Sequence, residues 1–235
     1  MTIKTGVILA GGLGTRLRPI TYEIPKALIP IHGRTMTEHL FDLFKKYGVT
    51  NIFMAVGHMR DKIMAHYRDG SSFGIHLDYI EETEPLGTAG PLRVGKNKLR
   101  ETFFCSNGDE LKKINLTEME QLHRKHNALV TIALFQVDDP SMYGVARLHG
   151  DQILEFVEKP KKGDAPSNSI NSGFYIIEPE VLDMIPPGFS MLEKDIFPKL
   201  AKEGKLFGYQ FKGQWFDTGS MERYERAIRE WIDIE

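Results

Sequence analysis

Short apolar runs alternate with segments of helical periodicity along the first part of the chain. Five runs predict buried strands, at residues 6–10, 51–56, 77–80, 102–106 and 129–137. Between them, apolar side chains recur at the spacing of an amphipathic helix in residues 35–47, 60–67, 90–99 and 115–126. Gly48 is a stop signal after the first helix, and Asn115 or Thr117 is a cap for the last. This alternation predicts a parallel, doubly wound α/β sheet.

The pattern changes after Tyr143. Residues 143–160 are typical of a β-hairpin whose turn is Gly150-Asp151, and residues 172–182 of a strand that leads into a helix. Residues 220–232 predict an amphipathic helix, because four apolar side chains fall near one face: Met221, Tyr224, Ile228 and Trp231. The sequence shows no internal repeat, and in particular no hexapeptide repeat that would indicate a β-helix.

The composition narrows the class of protein. The chain has 235 residues, 41% of them hydrophobic, and 30 basic against 32 acidic side chains give a net charge of −2. This balance argues against a nucleic-acid partner, so any anion must bind at a local site. A single cysteine, Cys105, cannot form an intrachain disulfide, which suits a reducing compartment. Because no signal-peptide pattern and no apolar stretch of ~18 residues is present, we expect a cytoplasmic protein without a membrane partner.

The stretch after the first strand, "GGLGTRLRPITYEIPK", combines flexibility with positive charge. Gly11, Gly12 and Gly14 stand at the carboxyl end of a predicted strand, the edge at which open α/β sheets bind ligands. Glycines let backbone N–H groups approach a phosphate, while Arg16 and Lys26 add a guanidinium fork and a point charge. The spacing matches neither the dinucleotide fingerprint G-x-G-x-x-G nor a Walker A loop. The stretch therefore indicates a polyphosphate site of another kind.

Residues 11–31 resemble the signature of the sugar-1-phosphate nucleotidyltransferases. They match G-G-x-G-T-R-L-x-P-x-T-x-x-x-P-K-x-L-x-P-I at every fixed position. The resemblance covers nearly the whole chain, through "EPLGTAGPL" (84–92), "NGD" (107–109), "YGV" (143–145), "FVEKP" (156–160), "NSGFYI" (171–176) and "WFDTG" (215–219). Within the family, the chain is most similar to the guanylyltransferases that act on mannose 1-phosphate or a manno-heptose 1-phosphate.

The resemblance implies a Rossmann-like, glycosyltransferase-A-like fold: a doubly wound, mostly parallel sheet with a small β-hairpin region that binds the sugar. It implies one domain over residues 1–235, with a nucleotide-binding part (1–140), a sugar-phosphate-binding part (141–220) and a C-terminal helix (220–233). The implied reaction is attack of a sugar 1-phosphate oxygen on the α-phosphorus of a nucleoside triphosphate (NTP), with release of pyrophosphate. This nucleophile is already ionised near neutral pH, so catalysis rests on positioning and charge neutralisation.

The resemblance also assigns roles to residues. Arg16 would neutralise the β- and γ-phosphates, and Lys26 would hold the α-phosphate or the pyrophosphate side. Asp109 and Asp217 would be the ligands of Mg²⁺ and complete the catalytic set. The sugar phosphate would contact Lys159 through its phosphate, Glu158 and Asn171 through its hydroxyls, and the backbone of Gly144. The nucleotide would contact thirteen residues: Leu9, Ala10, Gly11, Gly12, Gly14, Thr15, Arg16, Glu82, Pro85, Gly87, Thr88, Asn107 and Gly108.

The choice of base depends on the segment "YIEETEPLGTAG". By resemblance, Glu82 falls where the family reads the base edge. Guanine presents two adjacent donors, N1–H and N2–H₂, which one carboxylate accepts, whereas uracil and thymine suit an amide side chain better. Glu82 therefore favours GTP, and its neighbours Glu81 and Glu84 are alternatives for the same role.

One residue departs from the family pattern. Glu110 follows Asp109, at a position where the family generally carries an apolar or small residue, and Lys112 and Lys113 come next. Three roles stay open for the extra carboxylate: it joins the metal site, pairs with a lysine or alters the sugar pocket.

Two other functions also stay open. A uridylyl- or thymidylyltransferase for a glucose- or N-acetylhexosamine-type 1-phosphate would differ mainly at the base-reading position. A catalytically silent nucleotide-sugar sensor would keep the pocket, but the complete set of cations and aspartates favours an enzyme. The quaternary state is open between a monomer and a homodimer.

Overall fold

The computed structural model describes residues 2–233, and strands and helices alternate along them. Within this range the strands are β1 (Thr5–Leu9), β2 (Pro30–Ile31), β3 (Arg34–Thr35), β4 (Asn51–Val56), β5 (His76–Glu81), β6 (Phe103–Asn107), β7 (Glu110–Lys112), β8 (Val130–Gln136), β9 (Gly144–His149), β10 (Gln152–Glu158), β11 (Ser169–Ile177), β12 (Leu206–Gln210) and β13 (Trp215–Asp217). The α-helices are α1 (Met36–Lys46), α2 (Arg60–Tyr67), α3 (Gly90–Val94), α4 (Leu116–Lys125), α5 (Val181–Met184), α6 (Phe197–Lys202) and α7 (Met221–Glu230). A π-helical turn, Leu192–Ile196, leads into α6.

A nine-stranded sheet with the order β5-β4-β1-β6-β11-β8-β12-β10-β9 forms the centre of the fold. β1 pairs in parallel with β4 and β6, and β4 pairs in parallel with β5, as the strand–helix alternation predicts. β11 runs antiparallel to both β6 and β8 and so joins the first four strands to the rest. The predicted fold class is therefore confirmed.

The predicted hairpin is formed by β9 and β10. Their antiparallel register runs from Gln152 opposite His149 to Glu158 opposite Gly144. Gly150 has a φ of +60°, a left-handed conformation that glycine adopts without a steric penalty. The hairpin is attached to the main sheet by β12, which pairs in parallel with β8 and antiparallel with β10. Neither β12 nor α6 was predicted from the sequence.

The predicted helices form with identifiable ends. Thr35 and Glu38 make a capping box at the start of α1, and Gly48 follows its end with a φ of +71°. Asn115 caps α4 by accepting hydrogen bonds from two backbone N–H groups. α3 is shorter than predicted, and the chain continues as a 3-10 turn over Gly95–Asn97. At this point Gly95 packs so closely on Ile80 that a Cβ would meet its Cδ1 at 2.4 Å.

The sheet buries apolar side chains on both faces. In β1, Val7 belongs to one hydrophobic cluster and Ile8 to the other, and neither has any exposed surface. A third cluster, which includes Leu17, Leu111 and Trp231, lies under α7. Among residues 2–233, no helix has the length and hydropathy that crossing a bilayer requires.

Candidate active site

A cavity of about 680 Å³ opens where the carboxyl ends of β1, β4, β5 and β6 meet. This is the edge at which open α/β sheets hold their ligands. Lys26 and Asp109 line the cavity, and so do all thirteen residues predicted to contact the nucleotide: Leu9, Ala10, Gly11, Gly12, Gly14, Thr15, Arg16, Glu82, Pro85, Gly87, Thr88, Asn107 and Gly108. The structure thus brings together residues that lie far apart in the sequence.

The glycines of the loop after β1 serve different structural needs. A Cβ on Gly11 would lie 2.0 Å from Oε1 of Glu82, so only glycine leaves room for that carboxylate. Gly14 has a φ of +62°, and its carbonyl accepts hydrogen bonds from the Thr21 hydroxyl and the Leu17 N–H. Gly12 has no atom within 4 Å of the same position, so the loop is open above it. This local geometry leaves the loop backbone exposed to the cavity.

Lys26 and Asp109 form an ion pair at the base of the loop. Nζ of Lys26 donates to Oδ2 of Asp109 at 2.5 Å. Desolvation opposes the charged form of Asp109, but Lys26, with Lys112 and Arg16 farther away, outweighs it and keeps the pKa below its ordinary value. Asp109 is therefore a carboxylate at neutral pH, ready to interact with cations.

Asp217 is held from two sides at the end of β13. Its Oδ2 forms an ion pair with Nη1 of Arg223, and its Oδ1 accepts a hydrogen bond of 2.6 Å from the Gly219 N–H. A Cβ on Gly219 would lie 2.7 Å from Oδ1 of Asp217 and 3.0 Å from Nη2 of Arg16. Gly219 therefore allows the carboxylate and the Arg16 guanidinium to approach the same point.

A two-stranded ribbon of β7 and β13 brings the two aspartates together. Asp217 stands opposite Glu110, the residue after Asp109. Thr218 then donates to the Asp109 carbonyl through its backbone N–H at 3.2 Å and its hydroxyl at 2.7 Å. Asp109 and Asp217 are thus fixed at neighbouring ends of one ribbon.

This donor set fits a hard divalent cation that arrives with phosphate. Within the described part of the chain, no three His, Cys, Asp or Glu side chains stand close enough together to hold a metal by themselves. Mg²⁺ often takes only one or two carboxylates and completes its shell with water and substrate phosphates. Asp109 lines the main cavity and could supply one such carboxylate. Asp217, the second candidate, does not line that cavity but stands opposite Glu110 on the ribbon.

Glu110 does not itself line the cavity, although Asn107, one of its hydrogen-bond partners, does. Its oxygens accept hydrogen bonds from Asn107 Nδ2 at 3.0 Å, Trp215 Nε1 at 2.9 Å and Lys112 Nζ at 3.4 Å. Burial raises the pKa of Glu110 to about 7, although Lys112 pulls it down. Of the three roles left open by the sequence, the structure shows pairing with a lysine.

The residues predicted to bind the sugar phosphate lie on β9, β10 and β11, except Lys159, which directly follows β10. They line neither the main cavity nor the second one described below. Nζ of Lys159 is 3.4 Å from Oε1 of Glu158, and most of the Lys159 side chain is exposed. A Cβ on Gly144 would lie 2.9 Å from Oε2 of Glu158. Asn171 is engaged within its own strand, where it donates to the Tyr175 hydroxyl and accepts from the Gly173 N–H.

A second cavity, of about 390 Å³, adjoins Asp217 on the other side of the ribbon. Its walls include Tyr143, the residue before Gly144, and Trp215. Arg223 stacks over the Tyr143 ring with its Cζ 5.3 Å from the centroid. The sequence analysis did not assign a role to Trp215 or Arg223. Trp215 lies in the "WFDTG" segment beside Asp217, whereas Arg223 lies on the predicted C-terminal helix.

The three candidate base-reading glutamates have different surroundings. Glu82 is 9% exposed, lines the cavity and accepts a hydrogen bond from the Leu86 N–H at 3.2 Å. Burial raises its pKa above the ordinary value. Glu81 pairs with Arg60 outside the cavity, whereas Glu84 lines the cavity and is exposed.

A contact that the sequence did not predict fixes the cavity wall at Thr88. The Thr88 hydroxyl donates to Oε2 of Glu193 at 2.6 Å and accepts from the Leu192 N–H at 2.9 Å. Ser190 adds two backbone hydrogen bonds to the same wall, to Ala89 and Leu86. The π-helical turn is thus hydrogen-bonded directly to the cavity-lining loop that contains Thr88.

The cavity at the carboxyl edge of the α/β sheet thus brings together the glycine loop, Arg16, Lys26 and Asp109. A family model described as "Nucleotidyl transferase" matches residues 5–233. The chain belongs to this nucleotidyl transferase family, which confirms the resemblance seen in the sequence motifs.

Named relatives extend this similarity. A rice (Oryza sativa subsp. japonica) protein named "probable mannose-1-phosphate guanylyltransferase 1" is 37% identical over 234 residues, covering 97% of this chain and 64% of the rice protein. The chain therefore spans less than two thirds of that relative's length.

Two solved structures share the fold over almost the whole chain. HddC from Yersinia pseudotuberculosis, complexed with GMP-PN, is 28% identical with a TM-score of 0.82 and covers 98% of this chain and 100% of its own. A UDP-glucose pyrophosphorylase complexed with UDP-glucose is 26% identical with a TM-score of 0.85 and covers 98% of each chain.

Proposed function

We propose that this protein transfers a nucleotidyl group from an NTP to a sugar 1-phosphate, with GTP as the donor and a mannose or manno-heptose 1-phosphate as the acceptor. The products are a GDP-sugar and pyrophosphate. The observation that carries the proposal is a single cavity at the carboxyl edge of the sheet. That cavity joins the loop of Gly11 and Gly14 to Arg16, Lys26 and Asp109.

The triphosphate lies along the loop after β1. Backbone N–H groups of the loop meet its phosphate oxygens, and the Arg16 guanidinium neutralises the β- and γ-phosphates. Lys26, which stands 2.5 Å from Asp109, neutralises the α-phosphate or the pyrophosphate side. These cations are fixed before the reaction, so they stabilise the charge that develops on pyrophosphate without reorganising.

In the chemical step, an oxygen of the sugar 1-phosphate attacks the α-phosphorus. The bond from this phosphorus to the oxygen that bridges to the β-phosphate breaks, and pyrophosphate leaves with the electron pair. The attacking oxygen is already ionised, so no side chain has to accept a proton. Asp109 and Asp217 would hold Mg²⁺, which would supply Lewis-acid stabilisation of the phosphate oxygens.

The acceptor binds on the β9–β10 side of the site. The exposed ammonium of Lys159 meets its phosphate, and the Glu158 carboxylate, only 13% exposed, accepts hydrogen bonds from sugar hydroxyls. The Gly144 backbone adds a close approach, and the Asn171 side chain contributes once it exchanges its bond to Tyr175. This arrangement fixes the attacking phosphate next to Asp217 rather than activating it chemically.

Two observations support GTP as the donor. Glu82 is the buried carboxylate in the base region of the cavity, where it suits the two adjacent donors of guanine. The rice relative is named as a guanylyltransferase, and the Yersinia protein is complexed with GMP-PN. A second candidate, uridylyl transfer to glucose 1-phosphate, is supported by the similarity to UDP-glucose pyrophosphorylase.

The test is pyrophosphate release with a panel of NTPs against a panel of sugar 1-phosphates. We expect release only when GTP, a manno-configured sugar 1-phosphate and Mg²⁺ are all present. Release with UTP and glucose 1-phosphate would favour the second candidate. Tight binding of a GDP-sugar without any turnover would replace the enzyme by a sensor, and no release with any pair would contradict nucleotidyl transfer.

A further inference from the structure

The buried side chain of Glu110 links three strands, β6, β7 and β13. Its carboxylate accepts hydrogen bonds from Asn107 at the end of β6, from Lys112 on β7 and from Trp215 on β13. It also faces β11, where a Cβ on Gly173 would lie 2.3 Å from its Oε1. A carboxylate bonded in this way orients its donors more than it serves a ligand.

Lys112 completes the junction and neutralises it. Its side chain has no exposed surface, and Nζ donates to the Ser172 carbonyl at 2.9 Å and the Gly173 carbonyl at 3.2 Å as well as to Glu110. Removing either charge alone would leave its partner buried without a counter-charge, which is costly. The two residues therefore have to be considered as one unit.

Trp215 connects this unit to the side of the molecule where the sugar 1-phosphate is proposed to bind. Its indole N–H donates to Glu110 at 2.9 Å and, over a longer distance of 3.3 Å, to the Ser172 carbonyl. Its ring meets Tyr143 edge to face with centroids 5.3 Å apart. The Tyr143 carbonyl in turn accepts a hydrogen bond of 3.0 Å from the Lys159 N–H. A fixed aromatic face of this kind packs against the C–H surface of a sugar ring.

We propose that Glu110 is a positioning residue for the sugar 1-phosphate: it holds the Trp215 indole as a rigid wall beside Asp217, and Lys112 serves to neutralise it. The inference rests on the proposed function for the identity of the ligand. It explains why a carboxylate occupies a position next to Asp109 without contacting the cavity. Selection of the sugar would then depend partly on Trp215, a side chain outside the β9–β10 hairpin.

Two double variants separate the indole acceptor from the ion pair. E110M/K112M and E110Q/K112M both remove the two charges and keep similar side-chain volumes. Only the Gln variant retains a side-chain oxygen at position 110 for the Trp215 N–H, whose longer contact with the Ser172 carbonyl is common to both. Thermal unfolding followed by circular dichroism confirms that both fold. We expect the KM for the sugar 1-phosphate to rise about 3- to 10-fold in E110M/K112M, the range expected for losing one hydrogen bond, and to stay near the wild-type value in E110Q/K112M. The KM for GTP should change in neither.

Fluorescence quenching measures the accessibility of Trp215 directly. The chain has two tryptophans, so W231F leaves Trp215 as the sole emitter; the Trp231 N–H has no acceptor among the described residues, and phenylalanine keeps an aromatic ring there. In this background, acrylamide should quench Trp215 more strongly in E110M/K112M than in E110Q/K112M.

Equal quenching and equal KM values in the two double variants would overturn the proposal. So would a rise in the KM for GTP as large as that for the sugar 1-phosphate, since it would indicate a general structural defect. If the wild type turns over no substrate, the proposed function fails, while a quenching difference between the variants would still show that Glu110 fixes Trp215. Equal quenching would refute this in any case.

Discussion

The ammonium nitrogen of Lys26 lies 2.5 Å from Oδ2 of Asp109, although 83 positions separate the two residues. Lys26 begins a 3-10 turn after Pro25, and Asp109 follows β6. The contact places a cation and a carboxylate side by side at the edge of the sheet. In the proposed reaction, this shared position would let both charges act on one phosphate group and its metal ion.

Replacing Asp109 by asparagine should reduce kcat by at least ~100-fold, the scale seen when a preorganised electrostatic contact at a transition state is lost. The amide keeps the size of the side chain but removes the charge that balances Lys26 and is proposed to hold Mg²⁺. Pyrophosphate release at saturating GTP and sugar 1-phosphate measures the effect.

Asp183→Asn is the matched control for this substitution. Asp183 also pairs with a lysine, Lys96, but on the surface and with most of its side chain exposed. Exposed pairs contribute little, so this variant should keep the wild-type rate. A D109N variant with a rate close to that of D183N would remove Asp109 from the catalytic set.

The base-reading role of Glu82 is tested with GTP and inosine triphosphate. Glu82→Gln should raise the KM for GTP by about 10-fold or more, because a charge-assisted contact to the guanine donors is lost. Inosine triphosphate lacks the 2-amino group, so the same variant should affect it less. Glu81→Gln is the control, since Glu81 pairs with Arg60 outside the cavity. An unchanged preference for GTP in E82Q would reassign base reading to another residue such as Glu84.

The affinity for GTP should also depend on pH through Glu82. Burial raises the pKa of this carboxyl above the ordinary 4.5, so it takes up a proton at pH values where an exposed glutamate is still ionised. The protonated form no longer accepts both guanine donors, and GTP binding should weaken as the pH falls through the raised pKa.

Isothermal titration of GTP between pH 5 and pH 7.5 measures this dependence. The E82Q variant shares the titration of the nucleotide phosphates, so the difference between wild type and variant isolates Glu82. Parallel curves for the two proteins would be incompatible with the assigned role. The sign for folding is opposite: charging a buried Glu82 costs stability, so its contribution declines as the pH rises from 4.5 through the raised pKa.

Gly173→Ala should destabilise the protein more than Gly150→Ala. Both glycines have left-handed backbone, with φ of +63° and +60°, so each alanine carries a conformational cost of about 1–2 kcal/mol. A Cβ at position 173 would also lie 2.3 Å from Glu110 Oε1 and 2.4 Å from Asn107 Nδ2, whereas position 150 is open. We expect an extra loss of about 1–3 kcal/mol for G173A from this clash, measured by urea unfolding. Equal losses would mean that the Glu110 junction adapts freely.

Thr88→Val should lower the free energy of unfolding by about 1–3 kcal/mol, because it leaves the buried Glu193 carboxylate and the Leu192 N–H without the threonine hydroxyl. Thr88→Ser restores the hydroxyl and should recover most of the loss. If the serine variant is as unstable as the valine variant, the methyl group rather than the hydroxyl matters at this position.

The nucleotide side was largely predictable because its signals are local. The glycines of residues 11–14, the cap at Asn115 and the stop at Gly48 each act within a few residues of themselves. The carboxyl ends of β1 and β6 then bring Gly11 and Asp109 to one edge by the rule of parallel sheets. The nucleotide-binding roles assigned to the cavity residues remain predictions.

The ribbon of β7 and β13 was not predictable in this way. Each strand has three residues, too few for a periodic signal, and they pair across about a hundred positions. The three open roles of Glu110 depended on this pairing, since Trp215 reaches it only through the ribbon. The sequence does contain a pattern that is typical of a strand at β12: the apolar and aromatic run of residues 206–211 lies between Gly204 and Gly213.

β11 pairs with β6 along one edge and with β8 along the other. The strand carrying Asn171 at its start is therefore hydrogen-bonded, at its other end, to the strand that leads to Asp109. A hinge between the nucleotide side and the sugar side would have to break one of these ladders. If the proposed reaction holds, adjustment to the substrates would fall to the loops at the sheet edge, and the two reacting phosphates would meet across a continuous hydrogen-bonded sheet.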